Sequence, residues 1–180
     1  MGIAPNLVSV EEYLNSSWRP DREYVDGVLV ERSVPTIAHS LLQALLIEFF
    51  SRFRRQFRFL ALPEVRTQII ERARYRIPDV LLCPVPVPEG KVIDVVPWAV
   101  IEILSPEDSM QEQLERFRDY AGLGVGVIVL LDPERLAAYR FEDDSLIRTR
   151  FTELRLPSGQ VPFDTESLFG ELIAERKAGR

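Results

Sequence analysis

WAVIEILSPEDSMQEQLERFRDYAGLGVGVIVLL, residues 98–131, carries the reading of the fold. Trp98–Leu104 is an apolar run of strand length. Ser105-Pro106-Glu107-Asp108 breaks it and starts a helix that runs to about Tyr120, and Gly122 and Gly124 end that helix. Val125–Leu131 is a second apolar run. Strand, helix and strand in this order form a parallel crossover unit. An acid, Glu102, sits inside the first run, where successive side chains alternate faces. Trp98, Val100, Glu102 and Leu104 share one face, so the carboxylate is alone among apolar neighbours. Burying it is costly unless it is paired or holds a cation.

A second acid of this kind lies upstream. Asp79 interrupts RIPDVLL, residues 76–82, just after Pro78, which suggests an edge strand or a strand start. Two acids, 23 residues apart in neighbouring strand candidates, suggest an acidic site able to hold Mg²⁺ against a phosphate. The ordinary alternatives are a buried Glu102 paired with an arginine, and Asp79 as a turn or cap residue.

Hairpin signals dominate the rest of the chain. Asp26-Gly27 separates Arg22–Val25 from Val28–Arg32. Ser9-Val-Glu-Glu12 has capping-box spacing and opens a short helix over 10–15. After Pro35 and Thr36, apolar residues from Ile37 to Phe53 recur at helical spacing, predicting a helix to about Arg55. Phe59–Leu62, Glu64–Ile70 and Arg74–Cys83 read as strands, with a turn at Glu71–Ala73. The proline-rich residues 84–97 read as a surface loop. Leu136–Phe141 and Leu146–Arg150 are later strands, and Asp164–Lys177 is a terminal helix. The fold class is α+β or α/β, one domain over residues 1–180, with a mixed sheet flanked by helices.

Composition removes several functions. One cysteine, Cys83, and one histidine, His39, exclude a disulfide framework and cysteine or multi-histidine metal sites. No phosphate-cradling glycine loop, dinucleotide fingerprint or Gly-x-Ser-x-Gly elbow is present. No apolar stretch is long enough to span a membrane, and no basic start leads into an apolar core. Together these absences predict a cytoplasmic protein.

The net charge of −6 argues against a general nucleic-acid coat. Yet Ser51–Arg76 holds eight arginines against two glutamates, a local excess of +6 that would guide a phosphate backbone if it formed one surface. A solvated helix end and hairpin is the plainer reading. His39, in the first turn of the long helix between Ala38 and Ser40, reads as a surface or capping residue, with an accessory role at the site as the alternative. Glu23 alone would pass as an exposed strand residue.

The strings REYVDG, AHS, RIPDVLL, AVIEILSPED, ERFRDYAGLGV and VLLDPE, in this order, resemble the Uma family of endonucleases in the PD-(D/E)xK restriction-endonuclease-like superfamily. The resemblance runs from about residue 9 to 141. It implies a mixed sheet with a carboxylate cluster at one edge and Mg²⁺ or Mn²⁺ as cofactor, acting on DNA. It casts Asp79 and Glu102 as metal ligands and Glu23 as a supporting ligand or base.

The lysine of the pattern is missing. Leu104 stands at the E-x-K position, and Arg116, four residues before Tyr120, stands where the helix lysine often lies. Arginine keeps the charge but does not release a proton, so Arg116 would be a charge stabiliser. The aromatic residue common before the Asp-Pro turn is also absent, with Val129 and Leu130 nearby. These departures leave open a second reading, a lapsed nuclease fold that binds nucleic acid or a protein partner. A twofold homodimer is expected from two-strand cleavage, with Leu168, Phe169, Leu172 and Ile173 as the candidate patch.

Overall fold

The computed structural model describes residues 7–69 and 73–178. Helix α1, Val10–Asn15, is capped as its spacing predicts, with the Ser9 hydroxyl accepting from the Glu12 amide at 3.1 Å. Strands β1, Arg22–Val25, and β2, Val28–Glu31, form the predicted hairpin, with Asp26 and Gly27 at positive φ as a tight turn requires.

Helix α2, Ile37–Ser51, buries Leu42, Leu46 and Phe50. It ends earlier than its apolar stripe, and a separate turn of helix, α3, covers Arg54–Phe57. Ile37, counted in the stripe, is exposed.

The next strands go to two different sheets. Strand β3, Phe59–Pro63, and β6, Val80–Pro84, join a six-stranded sheet. Strands β4, Thr67–Ile69, and β5, Arg74–Arg76, join β1 and β2 in a four-stranded sheet. The expected strand Arg74–Cys83 is therefore divided at Ile77-Pro78-Asp79. Pro78 has no amide hydrogen for a ladder, so the chain leaves one sheet there and enters the other. Most of the expected turn at Glu71–Ala73 lies outside the described residues.

The crossover unit is as expected. Strand β7, Ala99–Ile103, is buried along its whole length and pairs in parallel with β8, Val127–Asp132, through helix α4, Met110–Leu123. Helix α4 begins later than Ser105, because Asp108 closes a turn by accepting from the Ser105 amide at 2.8 Å. Gly122 lies inside the helix, and Gly124 ends it in the left-handed conformation at φ 98°. Strands β9, Ala137–Glu142, and β10, Ser145–Arg148, complete the order β10-β9-β8-β7-β6-β3, with only β7–β8 parallel.

The large sheet has an apolar core on each face. Ala99, Ile101 and Ile103 pack in the core that includes α2. Val100 packs with Phe117 and Tyr120 of α4. A further hairpin, β11, Glu153–Leu156, and β12, Gly159–Pro162, leads into helix α5, Thr165–Ala178. Leu168, Phe169 and Leu172 of α5 are buried in the α2 core. The proposed dimer patch is thus part of the protein's own interior, since a terminal helix with an apolar stripe covers the nearest open core face.

Candidate functional site

The register that pairs Val80 with Ile101 and Leu81 with Val100, continued by one residue, sets Asp79 opposite Glu102. Opposed residues of an antiparallel pair project to the same face. The two acids therefore converge at one end of β6 and β7, on the α4 side of the sheet. Asp79 accepts the Ile103 amide on Oδ2 at 2.8 Å. Arg32 Nη2 donates to Asp79 Oδ1 at 2.7 Å, and His39 Nε2 lies 3.2 Å from Oδ2. Burial alone would raise the Asp79 carboxyl. The His39 and Arg32 contacts and the Ile103 amide outweigh it and hold the carboxyl below the usual range.

Glu102 is in the opposite electrostatic state. It is 2% exposed and accepts a hydrogen bond from the Tyr120 hydroxyl on Oε1 at 2.7 Å. Burial, and then the Asp79 charge, push its carboxyl well above the ordinary glutamate range despite the opposing pull of Arg116 and Tyr120. Two buried acids this close cannot both ionise cheaply.

Glu23 is fully buried, not exposed. Its β1 position faces Arg76 of β5, because Tyr24 pairs with Tyr75. Oε2 takes Arg76 Nη1 at 2.7 Å and Arg116 Nε at 3.2 Å, and Oε1 takes the Ile77 amide at 3.2 Å. Arg116 thus projects from α4 to Glu23 and lines the neighbouring cavity. Burial would lower its pKa, but Glu23 and Glu102 hold it above the ordinary arginine value. Glu23 supports Arg116 from behind and does not line the cavity.

That cavity, about 280 Å³, is walled by Arg32, Ser33, His39, Asp79, Ser105 and Arg116, among others. His39 is a correction to the surface reading: it is buried, because the start of α2 packs over the end of β6. Both His39 and Gln113 border the cavity, and among the described residues His39 Nδ1 and Gln113 Oε1 are buried without a hydrogen-bond partner.

Residues that pattern reading missed are Arg32, Arg76, Tyr120 and Asp108. Tyr120 had a local signal, since it lies four positions after Arg116 and so on the same helix face. Asp108 ties the Ser33 hydroxyl at 2.7 Å to the α4 start. Arg32 and Arg76 had no signal, because their partners are 47 and 53 residues away.

The arginine-rich segment is not one surface. Arg66 and Arg76 are buried, and Arg74 is largely enclosed beside Asp26 and Asp119. Arg52, Arg54, Arg55 and Arg58 are exposed, but Phe59 pairs with Pro84 and Pro63 with Val80. Those four therefore lie near the end of β6 away from Asp79, about 17 Å along the strand.

Among the described residues no helix is long and apolar enough to cross a membrane. No curated protein matches the chain. A crystal structure of a putative nuclease belonging to DUF820 from Anabaena variabilis is similar to it with a TM-score of 0.76 and 20% identity, covering 92% of this chain and 99% of that one. That likeness shows that the two chains share one fold. The Uma2 family model, described as putative restriction endonuclease, matches residues 10–166, beyond the quoted motifs and through the β11–β12 hairpin, so the chain belongs to the Uma2 family.

Proposed function

We propose that this protein is a divalent-cation-dependent endonuclease that hydrolyses DNA phosphodiesters, with Asp79 and Glu102 as the ligands of Mg²⁺ or Mn²⁺. The observation that carries the proposal is the facing pair of acids, one of them driven towards its neutral form by burial and then by the other's charge. No group of three or more His, Cys, Asp or Glu side chains suited to a metal occurs among the described residues. Two carboxylates are enough for Mg²⁺, which keeps several waters and takes one or two protein oxygens. The donor chemistry therefore suits Mg²⁺, with Asp79 lining the cavity and Glu102 buried against Tyr120 outside that lining. A cation bound there would supply positive charge at a phosphoryl oxygen and acidify water.

The chain's own residues divide the remaining work. Arg116 presents a permanent charge to the phosphate and gives up no proton. Glu23 and Arg76 fix its direction, so Glu23 acts by positioning and not as a base. The Tyr120 hydroxyl orients Glu102. Ser33 and Ser105 offer hydroxyls at the cavity wall.

One observation favours a second reading, a lapsed nuclease fold that binds nucleic acid. Both Asp79 oxygens are already engaged by Arg32, His39 and the Ile103 amide. Cleavage of supercoiled and linear DNA with Mg²⁺ or Mn²⁺ separates the two. The nuclease reading requires cleavage that disappears with EDTA and in Asp79→Ala. Metal-independent DNA binding without cleavage supports the second reading.

A further inference from the structure

We propose that Arg32 is a built-in competitor for the cation, holding Asp79 until a phosphate draws it away, so that metal and DNA load together. The inference rests on the nuclease reading and adds to it the order in which the site is filled. Arg32 lies in the coil after β2 and lines the cavity, with its side chain 16% exposed. One end of its guanidinium holds Asp79 Oδ1 at 2.7 Å, and the other reaches Glu64 Oε1 at 3.2 Å. The opposite oxygen of Asp79 is held by groups of fixed position, the Ile103 amide and the His39 ring. Oδ1, the oxygen turned to Arg32, is therefore the one that a cation would have to share with a guanidinium. A guanidinium and a divalent cation on one oxygen repel each other, so each weakens the other's hold.

The same guanidinium is well made for phosphate. Its planar fork matches two phosphate oxygens, and it stands in the cavity with Arg116. Glu64, half-exposed at the rim, is a weaker anchor than a bound phosphodiester. Moving Arg32 from Asp79 to the phosphate frees Oδ1 as negative charge arrives in the cavity. Because coupling between ligands is reciprocal, DNA tightens the cation by the factor by which the cation tightens DNA. Resting protein then carries little metal.

The test titrates Mn²⁺ into the protein without DNA and follows free Mn²⁺ by electron paramagnetic resonance. Parent, Arg32→Met, Arg32→Gln and Asp79→Asn are compared, with thermal melting to show each is folded. Arg32→Gln keeps a donor for Asp79 without its charge. Both Arg32 variants are expected to bind Mn²⁺ at least about tenfold more tightly than the parent, and Asp79→Asn to lose it. A fluorescent DNA duplex, followed by anisotropy in Ca²⁺ or in EDTA, should bind the parent more tightly with Ca²⁺. That dependence should fall in the Arg32 variants. Equal Mn²⁺ affinity in parent and Arg32 variants, still lost in Asp79→Asn, overturns the competition and leaves the metal site standing. Tighter Mn²⁺ with the full Ca²⁺ dependence retained overturns the linked loading. No Mn²⁺ binding in any variant overturns the metal site and the inference with it.

Discussion

The two sheets of this protein are held by different chemistry. The six-stranded sheet lies between apolar cores, one beneath α2 and α5 and the other beneath α4. The four-stranded sheet has a small cluster of Tyr13, Tyr24 and Tyr75, with rings 5.1–6.1 Å apart. Val8, Val10, Leu14, Trp18, Leu29 and Val92 pack around it, and beside it runs an ionic network in which Arg76 bridges Glu23 and Asp119, and Arg74 bridges Asp26 and Asp119. Apolar burial is non-directional and tolerates approximate fit, whereas a buried ion network needs every partner in place. The network's members also set the site, since Glu23 aims Arg116. Stability of the small sheet and the direction of Arg116 are therefore linked, while the two acids themselves sit at the end of β6 and β7 in the large sheet.

Substitutions that strike one sheet and spare the other test this division. Leu172→Asp puts an unpaired charge into the α2–α5 core and should cost about 4 kcal/mol or more, or prevent folding. Denaturant unfolding measures it. A folded monomer of normal stability would mean that α5 does not cover the core. Arg76→Met leaves Glu23 and Asp119 each short of a buried partner and should cost about 3 kcal/mol. A change near zero would show that the network holds no more than an apolar side chain would.

Glu102→Gln should act in the other direction. The folded protein binds a proton at Glu102 more tightly than the unfolded chain does. Between the ordinary glutamate pKa, about 4.3, and its raised folded value, stability therefore falls as pH rises. The neutral glutamine removes that fall, so its melting temperature should exceed the parent's at neutral pH and converge with it in acid. An unchanged pH profile would contradict the raised pKa. The smallest effect belongs to Arg116→Lys, which keeps the charge beside Glu23. Stability should change by about 1 kcal/mol, the weakening of one hydrogen bond to Glu23, and any cleavage activity should be kept or raised. Loss of cleavage with the fold intact would show that the guanidinium fork itself is needed.

Legibility in the sequence follows the same division. The β7–α4–β8 crossover and the β1–β2 hairpin were readable because strand runs, capping residues and Asp-Gly turns act within a few residues. Asp79 and Glu102 stood out because an acid in an apolar run has few ways to be satisfied. The β11–β12 hairpin was passed over although Glu153–Leu156 alternates polar and apolar residues, because that run is only four residues long and its partner strand is short and mostly polar. The division of residues 74–84 between two sheets was signalled by Pro78, but a proline says where a ladder stops and not where the chain goes next. His39 was misread because helix periodicity ranks faces by neighbours in the sequence, and its burial comes from β6.

By itself the sequence determined most elements, the crossover and the presence of two acids in neighbouring apolar runs, since these depend on local propensity, apolar periodicity and the cost of burying a charge. The register that sets the two acids opposite each other came from the structure. Only the tertiary structure decided which cations meet those acids. Arg32 reaches Asp79, Arg76 and Arg116 enclose Glu23, and the exposed arginines of α3 end up beside the far end of the sheet. Pairing of charges acts through space between residues 47 to 93 positions apart. Every arginine looks alike in the sequence, and chain geometry alone selects which carboxylate each one can reach.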